Sequence, residues 1–352
     1  MNNSWLKEAV KKIEADFNRS SDTHLFKISI PQLKNIDLYF KDESAHPTGS
    51  LKHRLARSLF LYALCNGYLN EKTTVIESSS GSTAVSEAYF AKMLGLKFIA
   101  VMPENTSKEK IAKIEFYGGY CHLVKNSTEV SNEAIKLAKN KNSYFMNQFL
   151  YAEKATDWRG NNNIAEAIFA QMKNERFSIP KWIVIGAGTG GTSATIGRYI
   201  RYKSLDTQVC VVDPEHSVFY DFYHNKVPAD FETNFSSKIE GIGRPRVEKS
   251  FIKEIIDQML KIPDSASIAA MHYLADFLDY KRGPSTGTNF CGVIEIIKQM
   301  QKKKEEGSIV TLLCDSGERY TNTYYNFNWL EKNNFFIKDY YNNIDNFFKK
   351  LK

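Results

Sequence analysis

Cysteine is scarce in this sequence, and its few copies form no metal-binding or disulfide pattern. The 352 residues contain five cysteines, at positions 65, 121, 210, 291 and 314, with no Cys-x-x-Cys pair among them. This spacing predicts neither a disulfide framework nor a zinc site, and we expect no bound metal. Cys121, Cys210 and Cys314 lie in apolar, strand-like runs, where we expect small core residues.

Long apolar runs are also missing. No stretch approaches ~18 consecutive apolar residues, and residues 1–4 lead into a charged helical pattern rather than a signal-peptide core. The net charge of +7 is spread along the chain, and its densest basic run, Gln301–Lys304, falls where a helix should end and its dipole favours cations. We therefore expect a cytoplasmic protein with neither a membrane nor a nucleic-acid partner.

Short apolar runs alternate with helical patterns through most of the chain. The apolar runs predict strands at Leu38–Phe40, Thr74–Ile76, Phe98–Met102, Cys121–Val124, Trp182–Ile185, Val209–Val212 and Ile309–Cys314. A first amphipathic helix contains Leu6, Val10, Ile13 and Phe17, and further helical patterns begin near residues 54, 83, 107, 129, 164, 192, 264 and 290. The alternation predicts an α/β fold with mostly parallel sheets that helices cover on both faces.

One polar and aromatic segment, Tyr151–Asn163, interrupts this alternation. Three strand–helix units precede residue 150, and at least three more follow residue 180. We therefore expect two domains, with the chain crossing from one to the other in this segment.

Two polar clusters stand directly after predicted strands and before predicted helices. The first, Ser78–Thr83, offers hydroxyl groups and backbone amides that can surround a carboxylate. The second, Gly186–Thr192, has glycines that let the backbone approach a phosphate, while Thr189 and Thr192 add hydroxyl donors. Ligands bind at this edge of open α/β sheets, so both clusters are candidate binding loops.

The second cluster also has an alternative interpretation. Gly186, Gly188 and Gly191 satisfy the GxGxxG spacing of dinucleotide-binding proteins, and Asp213 ends the next predicted strand, where an acidic residue would bind a ribose. Taken alone, this loop predicts an NAD-dependent dehydrogenase. The spacing is a weak signal, so the rest of the chain must decide.

A lysine at the start of a predicted helix is the deciding residue. Lys52 follows a Pro-Thr-Gly-Ser turn at residues 47–50, where a lysine would be a poor core residue. With the segments 79–83, 147–149, 188–192, 241–243, 283–287 and 314–320, this turn resembles the fold-type II pyridoxal-phosphate enzymes, the group of cysteine synthases and cystathionine β-synthases. The resemblance runs from about Asp37 to Tyr320.

This resemblance implies how pyridoxal 5'-phosphate is held. Lys52 would bind the cofactor as a Schiff base, and Ser285 would face its pyridine nitrogen. Ser82 stands where the family has an asparagine beside the phenolic oxygen of the cofactor. The phosphate would be bound by Gly188, Thr189, Gly190, Gly191 and Thr192.

The resemblance also implies a substrate site and roles for the two domains. The substrate carboxylate would be bound by Ser79, Ser80, Gly81, Thr83 and Gln148, with Gly241 beside the substrate. In a two-domain fold of the tryptophan synthase β-like type, residues 46–154 would form the smaller, mobile domain that binds this carboxylate. Residues 1–45 and 155–330 would form the larger, phosphate-binding domain, residues 331–352 an aromatic C-terminal extension, and the enzyme a homodimer.

The implied reaction takes place at the β-carbon of cysteine-like amino acids. Segments 78–86, 157–163 and 240–246 look most like bacterial cysteine desulfhydrases, lyases that release hydrogen sulfide from L-cysteine through an aminoacrylate intermediate. Glu240 would be a general base there, where O-acetylserine-using synthases generally carry glutamine. Paired with Arg244 or Arg246, it would instead be a surface carboxylate. The alternatives are a cysteine synthase, another β-replacement enzyme, or a fold without turnover.

Overall fold

The computed structural model describes residues 3–19, 22–160 and 162–350. Residues 1 and 2, Asn161 of the segment Asp157–Asn163, and residues 351 and 352 of the expected C-terminal extension lie outside the described residues. The chain divides into two compact units. Unit 1 comprises the described part of residues 1–22 with His46–Asp157, and unit 2 comprises Thr23–Ala45 with the described part of residues 158–352.

Helices and strands alternate along both units. The strands are β1 (Leu25–Ile28), β2 (Ile36–Asp42), β3 (Thr74–Ser78), β4 (Lys97–Pro103), β5 (Tyr120–Val124), β6 (Ser143–Phe145), β7 (Trp182–Gly186), β8 (Gln208–Pro214), β9 (Gln258–Ile262) and β10 (Gly307–Leu313). The helices are α1 (Asn3–Asn18), α2 (Lys52–Cys65), α3 (Ser82–Leu94), α4 (Lys108–Phe116), α5 (Val130–Leu137), α6 (Gln148–Ala155), α7 (Ile164–Met172), α8 (Gly191–Tyr202), α9 (Phe219–Tyr223), α10 (Asp264–Leu278), α11 (Pro284–Lys303), α12 (Phe327–Lys332) and α13 (Lys338–Lys350). Within the described ranges, no helix combines the length and the apolar character that crossing a bilayer requires.

Unit 1 is built on a parallel sheet of strand order β5-β4-β3-β6. Side chains alternate between the two faces of this sheet, because successive residues of a strand point in opposite directions. Val75 of β3 joins the apolar cluster of α1, α2 and α3, whereas the next residue, Ile76, packs with Ala134 of α5. Both faces of β3 are therefore buried, which explains why Val75 and Ile76 are apolar although they point to opposite faces.

Unit 2 is built on a sheet of order β1-β2-β10-β7-β8-β9, in which only the edge strand β1 runs antiparallel to its neighbour. All residues of β10 are buried. The long helix α11 packs on β7, β8 and β10 and along α10. The C-terminal helix α13 covers α10, with the Phe348 ring 5.7 Å from that of Tyr273 and 5.8 Å from that of Phe290.

The observed units differ from the predicted domains at the N-terminus. The prediction assigned residues 1–45 to the larger domain, but α1 belongs to unit 1, because Ala9 and Ile13 are buried against α2 and α3. The chain passes to unit 2 after Asp157, inside the segment where a crossing was expected. The roles of the two domains stay predictions.

All seven predicted strands are present, but one predicted helix start is wrong. The helical pattern placed the start near Phe290, whereas α11 begins at Pro284. Proline is favoured in the first turn of a helix, where its missing N–H would have had no acceptor. The correction places Ser285 and Gly287 inside the first turns of α11.

Gly287 provides a test of this helix packing. A Cβ atom built on it would lie 2.0 Å from the carbonyl oxygen of Ser267 and 2.7 Å from the backbone nitrogen of Met271, both on α10. Gly287→Ala should therefore lower the free energy of unfolding by about 2 kcal/mol, because this overpacking outweighs the ~1 kcal/mol gained in helix propensity. Denaturant titration measures the change. The control is Gly81→Ala, whose Cβ would meet nothing within 4 Å; equal stability of the two variants would contradict the packing described.

Candidate active site

Lys52 is the first residue of α2 and is half-buried. The preceding turn is closed by a hydrogen bond from the Gly49 N–H to the carbonyl oxygen of His46 at 2.7 Å, with Gly49 at φ +72°, a conformation that favours glycine. The Thr48 hydroxyl lies 2.8 Å from the Ser86 hydroxyl of α3 and fastens the turn to that helix. The local sequence thus holds the start of α2, and Lys52 with it, at a fixed position relative to α3.

The polar loop between β3 and α3 leads into a helix that no side chain caps. Gly81 is the N-cap residue of α3, so the N–H groups of the first turn lack a side-chain acceptor at this position. Ser79, Ser80 and Ser82 are half-buried around it, and the Ser79 Oγ accepts the Gly81 N–H at 3.2 Å. A carboxylate bound here would meet backbone N–H groups, hydroxyl donors and the positive end of a helix dipole.

Thr83 and Gln148 are distant in sequence but meet within unit 1. The Thr83 hydroxyl donates to the Gln148 Oε1 at 2.8 Å, and both side chains are buried. Gln148 begins α6, directly after Asn147 in the left-handed conformation at φ +50°. Because Thr83 occupies the amide oxygen, the Nε2 group is what Gln148 can offer to an anion.

Two buried glutamates behind this loop were missed by the sequence analysis. Glu77 of β3 accepts the Gln148 N–H on Oε2 at 3.0 Å and the Ser78 N–H on Oε1 at 2.7 Å. Burial raises the pKa of Glu77 to about 7, and burial together with the Glu77 charge raises the pKa of Glu87, in α3, well above its usual range. The sequence signal that could have found them was an acidic residue inside each of two apolar runs.

Unit 2 carries the glycine-rich loop between β7 and α8. Gly190, the N-cap residue of α8, has φ +87°, and a Cβ atom there would lie 2.5 Å from the carbonyl oxygen of Ser250. A Cβ atom on Gly188 would lie 2.3 Å from the carbonyl oxygen of Gly241. Only glycine therefore allows this loop to pack as closely as it does on the backbone around residues 241 and 250.

The start of α8 has the chemistry that a phosphate group requires. Gly190 offers no side-chain cap, and the Thr189 Oγ1 accepts the Gly191 N–H at 3.2 Å. The Ser193 hydroxyl donates back to the Gly190 carbonyl at 2.9 Å, while Thr192 is half-buried in the same turn. First-turn N–H groups have no acceptor within their own helix and carry the positive end of its dipole, so this loop fits the cofactor phosphate.

The loop that carries Glu240 and Gly241 is anchored at both ends. The Gly243 N–H donates to the carbonyl oxygen of Ala187, in the glycine-rich loop, at 2.8 Å. On the other side, the Tyr324 hydroxyl donates to the carbonyl oxygen of Lys238 at 2.5 Å. Gly241 itself is exposed and has φ +92°, which favours glycine at this position.

Glu240 is half-buried and lies close to tyrosine side chains. Burial, and next the Glu240 charge, raise the pKa of the Tyr324 phenol above its usual range. The two arginines considered as partners for Glu240 both donate to the Glu248 Oε1, from Arg244 Nε at 2.7 Å and from Arg246 Nε at 3.2 Å. Both guanidinium groups thus have a buried carboxylate partner in Glu248.

Ser285 is buried in the first turn of α11, among neutral polar groups. The nearby Cys314 thiol accepts a hydrogen bond from the Asn289 Nδ2 at 3.3 Å. The Cys314 N–H donates to the Thr286 Oγ1 at 3.0 Å. Burial raises the pKa of Cys314 to about 12, so this thiol is neutral, as expected of a packed cysteine rather than a nucleophile.

Asp213 is enclosed by the protein, which removes support for a dinucleotide site. Its Oδ2 accepts the Tyr220 N–H at 2.8 Å, and burial raises the pKa of the carboxyl group to about 7. The Asp213 carboxyl group therefore stabilises the local backbone instead of binding a ribose hydroxyl.

The comparisons with known proteins agree with the family that the motifs suggested. A family model described as pyridoxal-phosphate dependent enzyme matches residues 21–315. The chain is similar to the L-cysteine desulfhydrase Cds1 of Mycobacterium tuberculosis, with 56% identity over 94% of this chain and 90% of that protein. It is also similar to cysteine synthase B of Campylobacter jejuni, with 30% identity over 82% of this chain and 91% of that protein.

Solved structures support the same fold. The structure of a hydrogen sulfide-producing enzyme with an alpha-aminoacrylate intermediate matches with a TM-score of 0.75 at 25% identity, covering 89% of this chain and 91% of that chain. The predicted family and the α/β fold with parallel sheets are therefore confirmed.

The glycine-rich loop yields a prediction about cofactor affinity. The alanine Cβ at position 188 would clash with the Gly241 carbonyl oxygen, so the loop would have to distort. If the distortion weakens binding by ~1.4 kcal/mol, Gly188→Ala raises the Kd of pyridoxal phosphate about tenfold. Titration of the cofactor-free protein, followed by visible absorbance, gives the Kd. Gly292→Ala is the control, since its Cβ would crowd only the Val212 and Val184 side chains. An unchanged Kd in Gly188→Ala would contradict the assignment of this loop.

Proposed function

Because this chain belongs to the family of pyridoxal-phosphate dependent enzymes, we propose that it is a carbon–sulfur lyase that releases hydrogen sulfide from L-cysteine. The observation that carries the proposal is the 56% identity with an L-cysteine desulfhydrase over 94% of the chain. The net reaction converts L-cysteine and water into hydrogen sulfide, pyruvate and ammonia. It is redox-neutral and needs no further co-reactant.

In this proposal, Lys52 binds the cofactor and moves the first proton. The bound cofactor supplies an electron sink for the electron pair left at the α-carbon of the substrate. The Nζ of Lys52 would be the base that takes the α-proton of the substrate. When the cofactor is bound, the neutral Ser285 hydroxyl would hold its ring nitrogen, and Ser82 would contact its phenolic oxygen. The C–S bond then breaks, and the sulfur leaves with the bonding electron pair as hydrosulfide.

Two helix starts fix the anionic groups that do not react. The residues Gly188–Thr192 bind the cofactor phosphate at the N-terminus of α8. The substrate carboxylate is bound at the N-terminus of α3 by Ser79, Ser80 and Thr83, and by the Nε2 group of Gln148. Holding both anions in place orients the α-proton toward its base, which lowers the entropy cost of the transfer.

Glu240 acts in the second half of the reaction. Its carboxylate, next to Gly241, takes a proton from the water that completes the conversion to pyruvate. The Tyr324 phenol, whose pKa burial and the Glu240 charge raise, remains neutral beside it.

A cysteine synthase is the second candidate, favoured by the 30% identity with cysteine synthase B. Such an enzyme would share the first half of the reaction and then add a sulfur nucleophile instead of releasing its product. Comparing kcat/KM for L-cysteine alone with kcat/KM for O-acetylserine plus sulfide distinguishes the two activities.

Lys52→Ala tests the proposed function directly. Wild type should form sulfide, pyruvate and ammonia from L-cysteine in equal amounts, whereas the variant should lose ~10²–10⁴-fold or more in sulfide release, since it lacks the base for the α-proton. Methylene blue and lactate dehydrogenase assays measure sulfide and pyruvate. Lys52→Arg keeps the charge at the start of α2 and should be equally inactive. Sulfide release at the wild-type rate by either variant would refute the role of Lys52.

Glu240→Gln separates the two halves of the reaction. The substitution keeps the shape of the side chain but removes the base, so the first turnover should still release sulfide at the wild-type rate. Steady-state pyruvate formation should fall by as much as ~10²–10⁴-fold. Rapid-mixing measurement of the sulfide burst checks this. If the variant shows no sulfide burst, Glu240 acts in the first half of the reaction. If it turns over at the wild-type rate, Glu240 is a surface carboxylate without a catalytic role.

We further propose that the enzyme works in the cytoplasm as a homodimer, as the family resemblance suggests. Exposed apolar side chains support an interface between copies: Phe116 and Tyr120 on unit 1 are 72% and 63% exposed. Side chains of this kind are enriched at subunit interfaces.

A further inference from the structure

Glu77 and Glu87 form a pair of carboxyl groups enclosed within unit 1. Both side chains are fully buried, and they lie close enough that the Glu77 charge raises the pKa of Glu87. Among the described residues, no group donates a hydrogen bond to either oxygen of Glu87. Two neighbouring carboxylates buried away from water would repel each other at a high cost in free energy, so we infer that the pair holds a proton.

The surroundings decide which of the two carries this proton. Glu77 receives the N–H of Ser78 at 2.7 Å, the Ser78 hydroxyl at 3.2 Å and the N–H of Gln148 at 3.0 Å. Donors of this kind stabilise the ionised form of a carboxyl group. Glu87 has no such donors, so it keeps the proton and donates it to Glu77.

Glu77 connects this pair to the residues that bind the substrate carboxylate. Its Oε2 fixes the backbone of Gln148, whose side-chain amide is oriented by Thr83. Its Oε1 fixes Ser78, the residue that opens the loop Ser79–Thr83. The orientation of the Glu77 carboxylate therefore fixes both Ser78, at the start of the loop, and Gln148, which also contributes to the carboxylate site.

We propose that Glu87 is a positioning residue: its carboxyl proton holds Glu77 in the orientation that places Gln148 and Ser78 for substrate binding. This inference rests on the proposed function, because it concerns the loop assigned to the substrate carboxylate. Without the Glu87 donor, Glu77 would take up a proton itself. An O–H group would then face N–H donors, and Gln148 and Ser78 would lose a shared acceptor.

Two substitutions of matched length test the proposal. Glu87→Gln keeps an N–H donor for Glu77, whereas Glu87→Met fills similar space without a donor. The probe is L-alanine, which has the α-amine and α-carboxylate of the substrate but no leaving group, and its Kd is read from the visible absorbance of the holoenzyme. The KM and kcat for L-cysteine and the cofactor content are measured in parallel.

We expect Glu87→Gln to bind L-alanine within about 3-fold of wild type. Glu87→Met should raise both the Kd of L-alanine and the KM of L-cysteine about tenfold, the effect of one lost hydrogen bond to a charged group. Its kcat should change much less, because the contact serves binding of substrate and transition state alike. Cofactor content should be unchanged, since the phosphate loop lies in unit 2.

Equal Kd values in the Gln and Met variants would overturn the proposal. Should Glu87→Met fail to fold, Glu77→Gln is the deciding variant. Its side chain has one acceptor oxygen instead of two, so it cannot accept the N–H groups of both Ser78 and Gln148 as Glu77 does. An unchanged Kd of L-alanine in this variant would refute the positioning role. If wild type neither binds L-alanine nor releases sulfide, the proposed function falls, and this inference with it. If wild type does both while the variants match it, only this inference falls.

Discussion

Unsatisfied backbone N–H groups at helix starts are the constraint on which the proposed site depends. The N-cap residues of α3, α8 and α11 are Gly81, Gly190 and Gly283, so no side chain at the N-cap can accept the N–H groups of the first turn. The side chains of Asn163 and Asn326 cap α7 and α12, whereas α2, α4, α5, α6, α9 and α10 also lack a side-chain cap. A glycine in place of a polar N-cap residue costs only a few tenths of a kcal/mol per helix. That cost is recovered when an anionic ligand group supplies the missing acceptor.

The same constraint governs the acidic residues near these helix starts. The N-terminus of an uncapped helix attracts carboxylates of the protein as well as those of a ligand. Acidic side chains nearby must therefore accept other hydrogen bonds or be protonated. Glu77 is occupied by backbone N–H groups, and Asp213 by the N–H of Tyr220. Burial raises the pKa of Glu87 and keeps it protonated.

Sequence patterns predicted the buried elements well, because strands such as β4 and β10 carry apolar side chains on both faces. They failed where the fold depends on distant contacts. The short strand β6 carries too little apolar signal to be recognised, and α1 joins unit 1 only through packing of Ala9 and Ile13 on α2 and α3. Loop motifs located Lys52 and Gly188–Thr192, but no local pattern revealed that Glu77 and Glu87 meet, since one lies on a strand and the other on a helix.

Chemical reduction of the holoenzyme identifies the lysine that holds the cofactor. Sodium borohydride fixes pyridoxal phosphate to the lysine that holds it, and peptide mass spectrometry then identifies that lysine. The account predicts loss of the visible absorbance and a single modified peptide containing Lys52. A modified lysine elsewhere, or protein that binds the cofactor without becoming labelled, would contradict it.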